Sequence, residues 1–471
     1  MKTVASRLLN KQLNKIQSLI DTKQEWMEDE YYRKYAPIYD LAKKFLQNEN
    51  VLIYGGTAIN ELIPKKHRFY RSNELPDFDV FSMAAKRLGQ KAIRFFKSHG
   101  YDSVSLTEAL HEDSFKCIVS GLTVIDITQV PQTIFDILKE DKRKTSFGLY
   151  TVNPQFLRMT LHTLLSQPND SFRWEKMLKR ILAFYKAFPP KLSCGALGAP
   201  KQAIRKLRQG AQGAADAKDP EIQKYTMKIL QEETLNWVKE RNYVVFSMDT
   251  WLSLLPAKMT DTAMNKILQQ LKGIASDDTI RPLDILVDMD ETDIEKSIQR
   301  LKKDWMDYLK NAVAKKTLPV DVKTLKLYYS RLFSKRISPN HFYILMDGIP
   351  IVGFYQTEAC LSYIRVDNEN KILADELGAS PSAPADYLRV AGIQTILRVY
   401  LQLLLDKRSS SSSLIDLTRI ECMINLLTLL SLESMIKPSH AFLKSFVLTC
   451  YGSQPGLVTL KRERFKRIQG R

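Results

Sequence analysis

Val51-Leu52-Ile53-Tyr54-Gly55-Gly56-Thr57 and, further along, Pro76-Asp77-Phe78-Asp79-Val80-Phe81 are the stretches on which the fold reading turns. The first runs from apolar residues into a glycine pair and then into helical spacing at Ala58, Ile59, Leu62 and Ile63, so it predicts a strand, a tight turn and a helix start. Glycines at such a turn let backbone N–H groups approach a phosphate, because no Cβ stands in the way. The second stretch places carboxylates at i and i+2 in a strand-like run, where alternate side chains share a face. Two carboxylates beside a phosphate-binding turn can hold a divalent cation against the same phosphates. An isolated glycine pair is usually just a turn and an isolated Asp-x-Asp usually solvated. Here Phe78, Val80 and Phe81 flank the acids, and an apolar flank makes an unpaired aspartate costly.

A third acid follows. Ser114 to Val119 and Leu122 to Val130 read as strands joined at Ser120-Gly121, and the second carries Asp126 among β-branched neighbours, Thr123-Val-Ile-Asp-Ile-Thr128. Charge is depleted inside strands, so Asp126 invites an explanation. A cation shared with Asp77 and Asp79 is one; an edge strand facing water is the other.

The chain has 471 residues, a formal charge of +18 and a pI near 9.4. That length admits two or three domains, and the positive excess favours polyanionic partners, RNA first. No apolar run approaches the length of a membrane span, and Met1-Lys2-Thr3-Val4 opens no secretory signal, so no membrane partner is expected. Five cysteines (117, 194, 360, 422 and 450) lie scattered without a Cys-x-x-Cys, which fits reduced thiols and excludes a structural zinc motif.

The segments read as follows: a helical stretch 1–48, a catalytic unit 49–192, a Gly/Ala/Gln-rich linker 193–220, a second domain 221–450 and a basic tail 451–471. Residues 153–188 are predicted as helix, started by Asn153-Pro154 and stopped by Pro189-Pro190. Leu9, Leu13, Ile16 and Ile20 share one face of the first helix. Lys201, Arg205 and Arg208 in the linker, and Lys461 to Arg467 in the tail, are candidate RNA contacts, and Ser409–Ser413 is low-complexity.

The second half repeats the first. Val244 to Pro256 aligns without gaps on Leu52 to Pro64, Arg281 to Val287 on Leu75 to Phe81, and Phe342 to Gln356 on Phe115 to Gln129; Tyr387 to Val390 is set against the helical Phe156 to Met159. Gly55 and Gly56 become Ser247 and Met248, and Asp126 becomes Gly353. Asp77 and Asp79 become Leu283 and Ile285, or leave only Asp284 if the register slips by one. Apolar positions persist while the chemical ones vanish, so chemistry is expected in the first half alone.

At Tyr54-Gly-Gly and Pro76-Asp-Phe-Asp-Val-Phe the chain resembles the poly(A) polymerase catalytic subunits of large nucleocytoplasmic DNA viruses, of the mimivirus and megavirus type, over roughly residues 30 to 440. The resemblance implies an α+β fold: a polymerase-β-like nucleotidyltransferase domain plus a second, degenerate nucleotidyltransferase-like domain, with helical segments. It implies template-independent addition of AMP from ATP to RNA 3′ ends, using two Mg2+ or Mn2+ ions. Asp77, Asp79 and Asp126 would be the catalytic, metal-binding acids, with Gly55, Gly56 and Thr57 at the triphosphate; many cellular relatives have Gly-Ser at the turn, and Thr57 is the candidate to supply the hydroxyl. A homodimer, and action in the host cytoplasm (viral factory) with the virion as a second location, come from the family alone. Two other readings stay open on the residues themselves: a nucleotidyltransferase of another kind (terminal uridylyl-type or small-molecule-modifying), and a non-catalytic RNA-binding scaffold.

Overall fold

The computed structural model describes residues 4–191, 220–255, 258, 261–275, 281–289, 293–315, 326–329, 337, 339–346, 349–367, 387–406, 417–436 and 446–470. The linker 193–219, with Lys201, Arg205 and Arg208, and Ser409–Ser413 lie outside them. The chain is mixed α+β and divides into two compact units: Met1–Leu157 with Leu182–Ala187 and Leu457–Arg471, and Arg158–Ile181 with Phe188–Gly456.

In the first unit, helix α1 (Val4–Gln47) precedes β1 (Leu52–Ile53), α2 (Gly55–Leu62), β2 (Phe78–Ser82), α3 (Ala85–Ser98), β3 (Val104–Glu108), β4 (Ser114–Val119), β5 (Leu122–Gln129) and α4 (Gln132–Lys139). The sheet order is β1-β2-β5-β4-β3. Only β2 and β5 run parallel; the other neighbours are antiparallel. The amphipathic α3 buries Leu88, Ala92 and Phe96 at helical spacing, and Gly89 lets it close on the sheet, since a Cβ there would lie 2.4 Å from Leu106. The C-terminal part of α1 is anchored by buried Ile38, Tyr39, Ala42, Phe45 and Leu46, with the Phe45 and Phe95 rings 5.2 Å apart. Its earlier turns differ: Leu13, Ile16 and Ile20, the face read from the sequence, are more than half exposed.

The predicted helix over 153–188 is two. Helix α5 (Pro154–Leu165) ends before Pro168, a short 3-10 turn spans Pro168–Arg173, and α6 (Trp174–Ala187) follows. Proline lacks the N–H a continuous helix needs and clashes with the preceding turn.

In the second unit, α7 (Pro220–Arg241), β6 (Val244–Val245), α8 (Met248–Ser253), α9 (Thr262–Ala275), β7 (Leu283–Val287), α10 (Ile294–Ala314), β8 (Lys326–Tyr329), β9 (His341–Met346) and β10 (Ile349–Gln356) are followed by β11 (Leu361–Asp367), β12 (Tyr387–Ala391), α11 (Ile393–Leu405), α12 (Leu417–Ile436) and β13 (Cys450–Tyr451); α13 (Leu457–Gln469) returns to the first unit. The second sheet has the order β13-β11-β12-β6-β7-β10-β9-β8. Its β6-β7-β10-β9-β8 portion has the same order and strand directions as β1-β2-β5-β4-β3, including a single parallel pair in the same place. Ile298, Leu301, Trp305 and Leu309 form the buried stripe of α10, and the Trp305 indole donates to Thr234 of α7 at 3.1 Å.

Two sequence expectations are corrected. Tyr387 to Val390, aligned with the helical Phe156 to Met159, forms a strand: β12 is held between β11 and β6, alternating buried Leu388 and Val390 inward, and the helix begins only after Gly392. The thiols are not all free either. β13 pairs with β11 beside Cys360, bringing the Cys360 and Cys450 Cα atoms to 5.2 Å, and their sulfurs are joined.

Candidate active site

The glycine turn and the three acids meet at one end of the first sheet. Gly55 has φ +67°, and a Cβ added there would lie 2.2 Å from Asp79 Oδ2. Both backbone and space therefore demand glycine. The Tyr54 N–H donates to the Asp79 carbonyl at 2.9 Å, which ties the turn to β2. Helix α2 then starts at the turn with its partial positive charge facing the acids.

Asp77 sits just before β2, and Asp79 is its second residue. In the parallel β2–β5 pair Asp79 lies directly opposite Asp126, so both project from one face of the sheet. Oxygen atoms of Asp77, Asp79 and Asp126 all fall within 4.8 Å of one another, and all three residues are half-buried. Like charges this close repel by about 4 kcal/mol per pair at an effective dielectric near 20, so the cluster calls for a cation. Its donors are hard carboxylate oxygens, a set suited to Mg2+ or Mn2+ and ill suited to soft metals. The residues fit such an ion.

Thr57 is placed differently from a phosphate contact. It is buried, and its hydroxyl donates to the Asp77 carbonyl at 2.9 Å, so it fixes the backbone that carries the first acid. Asn60, one turn further along α2, accepts from the N–H groups of Phe69 and Tyr70 at 3.0 and 3.2 Å and holds the chain on its way to Asp77.

Three residues emerge only with the structure. Tyr54 stacks on Phe81, ring centroids 3.9 Å apart, and its hydroxyl meets Thr128 Oγ1 at 3.0 Å. Burial, reinforced by the negative charge of Asp79, pushes that phenol well above its usual range, so it stays protonated. Tyr39 of α1 is pushed up to about 12 by burial, then by Tyr31 and Asp77, and its hydroxyl lies 3.4 Å from the Thr123 carbonyl. Lys116 of β4 pairs in register with Asp126 and places its ammonium on Asp126 Oδ2. Strand alternation would have put Lys116 on the acid face once the hairpin register was known.

A separate groove of about 730 Å³ lies between α1 and the loop leading to Asp77, lined by Met27, Tyr31, Arg71, Asn73 and Leu75 among others. None of the three acids lines it.

Comparisons with known proteins agree on one family. Residues 40–171, which include every residue of the cluster, match the family model described as poly(A) polymerase catalytic subunit. A protein of Acanthamoeba polyphaga mimivirus named as a poly(A) polymerase catalytic subunit is 26% identical over 170 residues, covering 35% of this chain and 28% of that protein. Its counterpart in African swine fever virus is 25% identical over 158 residues, covering 32% of this chain and 33% of that protein. The matched segment thus spans about a third, or less, of these relatives' length. The Megavirus polyadenylate synthase shares the fold with a TM-score of 0.64 at 17% identity, over 99% of this chain and 84% of that one.

Proposed function

We propose that this chain is a template-independent polynucleotide adenylyltransferase, transferring AMP from ATP to the 3′ end of RNA, with its chemistry in the first unit. The observation that carries the reading is the convergence of Asp77, Asp79 and Asp126 beside a turn that only glycine can form, inside the segment matching the family. The charge of +18 supports RNA over a small-molecule acceptor.

Asp77, Asp79 and Asp126 would hold the Mg2+ or Mn2+ ions, two by the family's precedent, which when bound activate the 3′-hydroxyl and stabilise charge on the departing pyrophosphate. The chain's own residues supply position. The turn at Gly55-Gly56 and the start of α2 orient the β- and γ-phosphates, and Thr57 keeps Asp77 in register with β2. Asp126, on the strand farther from the turn, serves the attacking side, while Asp77 and Asp79 serve both sides. Tyr54 and Phe81 wall the site with a stacked pair. Phosphoryl transfer needs little beyond such positioning and electrostatic stabilisation.

The second unit is a degenerate copy in this reading, supported by its matching strand order and by Gly353 standing where Asp126 stands in the first. RNA crosses the basic surface, with α13 as one contact, so affinity should fall steeply with salt. A homodimer and action in host viral factories, with the virion as a second location, extend the family resemblance; sedimentation of the full chain tests the first. Among the described residues no helix is long and apolar enough to cross a membrane.

The deciding experiment is extension of a 5′-labelled RNA with each nucleoside triphosphate offered separately, with Mg2+ or Mn2+, by wild type and by Asp77→Ala/Asp79→Ala. An ATP-dependent ladder lost in the variant is the expected result. A ladder with UTP or CTP keeps the site and discards adenylyl transfer, and RNA binding without extension by either protein favours the scaffold.

A further inference from the structure

Across the first sheet, one register row reads Asp79 on β2, Asp126 on β5, Lys116 on β4 and Thr107 on β3, with the glycine turn at the opposite end beside β1. Neighbouring strands are about 4.8 Å apart, so the row is a straight path away from the nucleotide end. In-line displacement puts the entering and leaving oxygens on opposite sides of the phosphorus. If the triphosphate lies at the turn, the 3′-hydroxyl arrives beside Asp126 and the RNA behind it passes over β4. The first side chain that RNA meets is Lys116, whose side chain is 37% exposed against 18% for Asp126.

We propose that Lys116 is a phosphate contact for the RNA primer: its ammonium neutralises Asp126 until a divalent ion claims that carboxylate, then turns to the backbone of the terminal nucleotides. The inference rests on the nucleotidyltransferase reading of this site. Lysine suits the role because its charge sits on a flexible stem that can swing between a carboxylate and a phosphate. In the second unit the row changes as a set: Gly353 replaces the β5 acid, and its β9 neighbour is Tyr343 in place of a lysine. The lysine and the acid are lost together.

The test uses the full chain as wild type, Lys116→Ala and Lys116→Arg. Binding of a 5′-fluorescein single-stranded RNA is followed by anisotropy with and without Mn2+, in the absence of ATP, over a salt series. With Mn2+, Lys116→Ala should weaken RNA binding about five- to tenfold and reduce the salt slope by about 0.7, the value of one single-strand phosphate contact. Lys116→Arg should keep most of the affinity. In extension assays the KM for RNA should rise while that for ATP stays within about twofold. Unchanged RNA affinity and slope with Mn2+, together with tighter Mn2+ binding by electron paramagnetic resonance, would reduce Lys116 to a counter-ion of Asp126 and overturn the proposal. If Lys116→Ala fails to fold, Lys116→Gln carries the same comparison. A wild type that binds RNA in a Lys116- and Mn2+-dependent way without extending it would sink adenylyl transfer while the contact stands.

Discussion

Asp284 lies opposite Gly353 across the parallel β7–β10 pair, in the register that sets Asp79 opposite Asp126 in the first unit. The sequence left two alignments open for this stretch; the strand pairing selects the one that retains Asp284. The Oδ1 atom of Asp284 is enclosed, while the residue as a whole is half-buried. A Cβ on Gly353 would lie 2.6 Å from its Oδ1, which is buried without a hydrogen-bond partner, and the Tyr343 and Tyr355 rings fill the space around it. A carboxyl oxygen in such a place favours the protonated form.

That proton makes the stability of the second unit pH-dependent. Burial, then the like charge of Asp249, pushes the Asp284 carboxyl well above the usual range, and the Tyr355 hydroxyl only partly opposes them. The other groups facing it are the Tyr343 and Tyr400 phenols, themselves kept protonated by burial. Above the ordinary aspartate value the folded chain binds the extra proton, so stability declines as pH rises toward the raised value. Asp284→Asn, which carries no proton to lose, should show a flatter decline in unfolding midpoint as pH rises above the ordinary aspartate range. An identical decline in the variant would remove Asp284 as the cause.

Gly55→Ala should uncouple folding from activity. The left-handed backbone costs about 1–2 kcal/mol for any residue with a Cβ, a modest loss for a unit of this size. The same Cβ would drive Asp79 out of the cluster, and misplacement near 1 Å costs on the order of 10²-fold in rate. Calorimetry showing a folded protein, with extension reduced about a hundredfold, is the expected pair of results. Near wild-type extension would mean that Asp79 does not need its present place.

How far the sequence alone reached follows from the kind of signal each element leaves. Gly55, Asp77, Asp79 and Asp126 were legible because each is an expensive residue for its setting: glycine at a helix start, or acid among buried Phe78, Val80 and Ile125. Lys116 was not, since a lysine on a strand is ordinary until pairing shows which acid it faces. Thr57 was chosen for its hydroxyl, but only coordinates reveal that Asp77's carbonyl takes it. Tyr387-Leu-Arg-Val fits either a helix face or an alternating strand, and the neighbours β11 and β6 decided. The strand order common to the two sheets left its trace in the apolar positions shared by the two halves of the sequence.

The Cys360–Cys450 link gives a redox prediction. It closes a sequence separation of 90 residues, and a loop of that length is worth about 2–4 kcal/mol through the unfolded chain. Reductant should lower the unfolding midpoint by several degrees more in wild type than in Cys360→Ser/Cys450→Ser. Equal midpoints for wild type with and without reductant, with free thiols counted in both, would show that the bond does not form in solution.

Asp126→Ala should separate chemistry from nucleotide binding. Asp126 belongs to the strand farther from the glycine turn, while Asp77 and Asp79 lie between it and the turn. Removing it leaves the phosphate-facing part of the site in place and withdraws a carboxylate from the side where the hydroxyl attacks. The turnover number should fall by more than about 10², with the KM for ATP within a few-fold of wild type, the pattern of an interaction made chiefly in the transition state. Asp77→Ala, which touches both sides, should damage both parameters. If Asp126→Ala instead raised the KM for ATP as strongly as Asp77→Ala, the acids would act as one nucleotide-binding cluster, and the division of labour along the sheet would be wrong.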